Sequence, residues 1–220
     1  MIIRGGIQRL FSSASSSIIA FINNARGAFT HPAYVSGRLY APNLASLTTT
    51  NTAGFVAADT LYAYPLDIAA PVTIASLGLR TSATSAGNLS SAKVGIYAND
   101  PTTGVPTSLL GQRNTGVATT GSNANLTFAL DANVTLQPGR YWLVSKHTFT
   151  TTAPLFALGN LAAPSAYTNG GASISAIFSA TPIYGWSGTD AFANNMPATF
   201  PAATAITSSG VLPAVLFGVA

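Results

Sequence analysis

The chain has 220 residues, enough for one large domain with a short appendage, and 48% of them are hydrophobic, ample for a core. Only 6% are charged, nine Lys/Arg against five Asp and no Glu, where an ordinary domain has about 25%; the surface is therefore built of Ser, Thr, Asn, Gly and Ala, which favours extensive subunit contacts. The formal charge of +4 comes from cations spread singly from Arg4 to Lys146, which excludes the clustered surface of a nucleic-acid binder, and the lack of Cys excludes disulfides, thiolate metal sites and cysteine nucleophiles.

The first 34 residues read as a segment apart from the rest. In "MIIRGGIQRLFSSASSSIIAFINNARG", which carries no acid, Ile3, Ile7, Leu10, Ala14, Ile18, Phe21 and Ala25 recur at spacings of three and four, the stripe of one helix face. Gly5, Gly6 and Ser15 to Ser17 oppose a free-standing helix, so the segment is expected to order on a partner as a helical or extended anchor that packs into a neighbouring subunit. A domain-capping helix and a targeting presequence are the other readings. Arg9 and the serine run exclude a membrane span.

Residues 35–220 read as strand and turn to the end. The predicted strands are 37–41, 60–68, 72–81, 92–98, 108–113, 125–130, 139–149, 153–159, 172–179 and 213–219, separated by "SAGN", "NDPTTGVP", "TTGSN", "QPG" and "TNGG". No helical stretch is long enough for a parallel crossover, so the expected fold is an all-β antiparallel sandwich or jelly roll. Alternation gives the sheet two faces: Val94 and Ile96 oppose Lys93 and Tyr97, while Tyr141, Leu143 and Ser145 oppose Trp142, Val144 and Lys146. With so little charge, the strand edges are expected to be covered by loops or by neighbouring subunits.

The strand "VGIYAND", the loop "PTTGVPTSLL", the later "LQPGRYWLV" and the early "GRLYAP" together resemble bacteriophage virion proteins of the fibre, spike and decoration type. The resemblance covers about residues 37 to 150. It implies attachment or assembly in a virion, with other virion proteins as partners, and a homo-oligomer, commonly a trimer. In "PGRYW", Pro138 and Gly139 make the turn, and Tyr141 and Trp142 enter the sheet as large space-filling rings.

Catalytic equipment is sparse. His31, in "THPAY", and His147, late in a strand, have no second His, Cys or carboxylate at ligand spacing, so no metal or other cofactor is expected. A paired-carboxylate glycosidase would require two of Asp59, Asp67, Asp100, Asp131 and Asp190 to converge, and Asp100 and Asp131 read first as turn formers. Neither a phosphate loop nor a nucleophile elbow is present.

The stretch "PIYGWSGTDAFANNMPATF", 182–200, has weak strand character and gathers aromatic rings beside amides and a carboxylate. Tyr184, Trp186, Asp190 and Asn194 are its candidate glycan contacts, since a sugar offers an apolar face for stacking and hydroxyls for hydrogen bonds. The competing reading has these rings seal the sandwich or pack against a subunit. Two function classes follow: a non-enzymatic virion protein that docks by its N-terminus and displays a sandwich, without nucleic acid or membrane, or a secreted carbohydrate-binding module or adhesin.

Overall fold

A computed structural model describes residues 34–41, 46–48, 57–81, 91–119, 124–149, 155, 156, 158–160, 183–207 and 213–220. All belong to one compact unit, Tyr34–Ala220. The N-terminal stripe, His31 and the predicted strand 172–179 lie outside the described residues.

The described part is all β and has no helix. Twelve strands follow one another: β1 (Leu39–Tyr40), β2 (Ser46–Thr48), β3 (Thr60–Ile68), β4 (Val72–Arg80), β5 (Ser91–Asn99), β6 (Pro106–Ala118), β7 (Asn125–Leu136), β8 (Gly139–Thr148), β9 (Leu158–Asn160), β10 (Gly185–Thr189), β11 (Thr204–Ile206) and β12 (Leu216–Val219). They form a four-stranded sheet, β1-β12-β4-β7, a six-stranded sheet, β11-β10-β3-β8-β5-β6, and a small pair, β2-β9, with every pairing antiparallel. The two larger sheets make a β-sandwich, as the strand-and-turn pattern predicts.

Period-two alternation sorts the side chains between the two faces of each sheet. Tyr62, Tyr64, Leu66 and Ile68 of β3, Val94 and Ile96 of β5 and Leu143 of β8 meet Ile74, Leu77, Leu79, Phe128, Leu136 and Phe217 in the inter-sheet core. Leu61 and Ala63 of β3, Tyr97 of β5, and Trp142 and Val144 of β8 form a second cluster with Met196 and Phe200. This second cluster lies on the opposite face of the six-stranded sheet, and the segment after β10 covers it. Pro65 of β3 comes after Ala63, the last β3 residue paired with β10, so the chain places its proline where β3 has become an edge.

One side of the sandwich is closed by β6 and β7, the edge strands of different sheets. At Gly111 a Cβ would come within 2.1 Å of the Val134 Cγ2, so only glycine lets β7 press this closely on the β6 backbone. Beside it, Arg113 pairs with Asp131 at 3.5 Å, and the Asn114 N–H donates to the same carboxylate at 3.2 Å. Asp131 is therefore not a turn former, as "LDAN" suggests. It lies inside β7, which runs to Leu136 with a register shift opposite Ile74 and Ser76, and its carboxylate serves the neighbouring strand.

Candidate functional site

Two lysines define the unusual feature of the outer face. Lys93 of β5 and Lys146 of β8 are cross-strand partners, and alternation puts both on the face of Tyr97, Trp142 and Val144. Lys146 is fully buried and Lys93 nearly so, at 0% and 7% exposure. Burying an ammonium costs several kcal/mol unless its protons find acceptors. The segment Asp190–Phe200, a strap laid across this face, supplies them.

Lys146 Nζ pairs with the Asp190 carboxylate and donates to the Asn194 and Asn195 carbonyls at 3.3 and 3.4 Å. Lys93 Nζ donates to the Phe192 and Asn194 carbonyls at 2.7 and 2.9 Å and lies 4.7 Å from the centre of the Phe192 ring. Desolvation pulls the Lys93 amine below its ordinary range; the Lys146 charge adds to this and the Asp190 charge opposes it. Burial alone would raise the Asp190 carboxyl, but hydrogen bonds from Lys146 and Asn194 and the two ammonium charges hold it below the ordinary carboxylate range.

Asp59 fixes the start of the strap. It takes a left-handed conformation, φ 58°, before β3; its carbonyl accepts the Asp190 N–H at 2.9 Å and its carboxylate the Phe192 N–H at 2.7 Å. Farther along, the Tyr97 hydroxyl donates to the Pro197 carbonyl at 2.7 Å, and burial pushes that phenol's pKa well up. Met196 sits over Gly95, where a Cβ would be 3.0 Å from its Cε. At its end the strap meets β6: the Phe200 N–H donates to the Thr107 carbonyl at 2.7 Å, and the Leu109 N–H to the Ala198 carbonyl at 2.9 Å.

The four candidate glycan contacts separate in this arrangement. Tyr184 packs against the inter-sheet core. Trp186, in β10, packs against the outer cluster, and its indole N–H donates to the Gly104 carbonyl at 3.1 Å. Asp190 and Asn194 lie together, with the Asn194 amide donating to Asp190 at 3.0 Å, and both tie the strap to the lysines. What the residue pattern predicts as an irregular recognition segment thus contains strand β10 and the strap.

The remaining chemistry-bearing groups are dispersed. Asp67 pairs with Arg140 across the β3–β8 ladder at 2.9 Å, and Asp100 accepts the Thr102 and Thr103 N–H groups, the turn role expected of it. His147 is buried in the inter-sheet core, with Nε2 2.9 Å from the Ser145 hydroxyl, its ring 4.7 Å from Phe156 and Nδ1 without a partner; desolvation pulls its pKa down to about 3. No group of three His, Cys, Asp or Glu suited to a metal occurs among the described residues. No known protein-family model matches the chain, and no curated protein matches it at a significant level.

Proposed function

We propose that the chain is a non-enzymatic structural protein of the bacteriophage-virion type, a fibre, spike or decoration component. It docks through its N-terminal segment to other virion proteins and presents its sandwich as part of a homo-oligomer, with a trimer favoured by the resemblance. The observation that carries this reading is the use of the acids. All five aspartates, the whole acid inventory, are engaged within the unit: Asp59 and Asp190 on the strap, Asp67 and Asp131 on strand rungs, and Asp100 in a turn. Two of the nine cations are buried beneath the strap as well. The chain invests its few charges in holding the sandwich together, and a neutral surface suits close packing against copies and neighbours.

Host attachment through Tyr184, Trp186, Asp190 and Asn194 gains no support from this geometry, because the Trp186 N–H, the Asp190 carboxylate and the Asn194 amide and carbonyl already have partners within the chain. Light scattering of the purified chain at micromolar concentration tests the assembly reading, with a discrete homo-oligomer as the expected result. A monomer across a range of salt that binds glycan would replace it with the secreted-module reading.

A further inference from the structure

We infer that the strap Asp190–Phe200 is a releasable guard over the β6 edge, and that its release lets two copies of the chain join edge to edge through β6. The inference rests on the assembly reading and names the surface that assembly would use.

β6 ends the six-stranded sheet, so its outward backbone groups are open to another strand. The strap occupies them as a strand would: Ser108 and Thr199 are bridged antiparallel, flanked by the Phe200-to-Thr107 and Leu109-to-Ala198 hydrogen bonds. The mimicry stops there, because no strand is formed by the strap itself. Proteins usually also protect an edge with charge, but Pro106–Gln112, "PTSLLGQ", contains none, and Leu110 is 41% exposed. Without the strap, this stretch would be an uncharged edge bordered by the apolar Tyr97, Trp142 and Val144 face.

The occupant that fits is a second copy. Antiparallel pairing of one strand with itself is satisfied by a two-fold axis, so β6 is complementary to the β6 of another molecule, with no like charges opposed in Pro106–Gln112. What holds the strap down is concentrated at its start, in the contacts of Lys93 and Lys146 with Asp190, Phe192, Asn194 and Asn195, while two backbone bonds hold its end.

The full chain carrying Asp190→Asn keeps the shape at that position and removes the carboxylate. A second form adds Ser108→Cys and Thr199→Cys, which in a chain without native cysteine form a single cross-link locking the strap to β6. We expect Asp190→Asn to self-associate at least tenfold more tightly than the parent by analytical ultracentrifugation. The Leu109 amide should exchange rapidly in dilute solution and become protected in the associated form. Oxidising the cysteine pair in that background should abolish the gain, and reduction should restore it.

Equal association of the oxidised and reduced forms overturns the inference. So does an Asp190→Asn chain that stays monomeric while its Leu109 amide is exposed. Should Asp190→Asn fail to fold, Lys93→Gln leaves the Lys146–Asp190 pair in place, removes the Lys93 bonds to the strap and undergoes the same comparison. A parent chain that neither assembles nor enters particles sinks the assembly reading, yet leaves the contrast between oxidised and reduced forms to be read on its own.

Discussion

His147 has one ring nitrogen bonded to Ser145, the other unpartnered, and no access to water, so protonation would place an uncompensated charge in the inter-sheet core. Its pKa falls from 6.5 to about 3 on folding. Between these values the unfolded chain binds a proton that the folded chain refuses, so stability declines as pH falls. The slope approaches about 1.4 kcal/mol per pH unit once the unfolded histidine is largely protonated. Asp190 acts later: its folded carboxyl lies below 3.8, so its contribution is complete above that value and is lost as pH falls through the folded pKa. Urea unfolding at stepped pH should show the loss beginning near neutrality, and His147→Leu should flatten the profile between pH 6.5 and 4 while leaving the more acidic loss. An unchanged profile in that variant would remove His147 as its source.

At the scale of elements, β10 is held as much by its neighbours as by its own sequence. Gly185, Trp186, Ser187, Gly188 and Thr189 offer only one large apolar residue, yet they pair with β3 on one side and β11 on the other. Trp186 anchors the element, its ring against the outer cluster and its N–H on Gly104, in the loop before β6. Trp186→Ala should therefore cost about 3 kcal/mol of stability, toward the low end for a large-to-small change because the ring is only half-buried. Thermal melting measures this, and a melting temperature equal to the parent's would return the ring to the surface role suggested by its sequence setting.

β3, β4, β5 and β8 were legible because each carries a dense apolar run or a clear alternation of its own. β10, β11 and the far half of β7 were not: Gly-, Ser- and Thr-rich pieces become strands only when a partner in register takes their backbone groups, and that partner is distant in sequence. The strap was hidden for the same reason, since Asp190 lies 44 residues from Lys146 and Asn194 lies 101 from Lys93. One local sign was available. Alternation placed both lysines on a face with Tyr97, Trp142 and Val144, and ammonium groups among large apolar side chains imply a covered face with acceptors in its cover.

For the molecule as a whole, the sandwich core is built entirely from residues beyond the N-terminal segment. Every described core side chain, from Tyr34 to Val219, belongs to the unit Tyr34–Ala220. The helical stripe Ile3, Ile7, Leu10, Ala14, Ile18, Phe21 and Ala25, by contrast, lies in a segment too polar around its serines and glycines to stabilise itself in water. Removing residues 1–30 should then separate folding from assembly: circular dichroism should keep its β signature and the chain its cooperative melt, while light scattering should show the oligomer reduced to monomer. Because the contact would be apolar, with Arg4, Arg9 and Arg26 as the segment's only charges, raising salt from 50 to 500 mM, an assay range chosen to span strong screening, should not weaken the parent oligomer. A truncated chain that assembles as the parent does would move the contact onto the sandwich. An oligomer that salt dissolves would replace apolar docking with ion pairing.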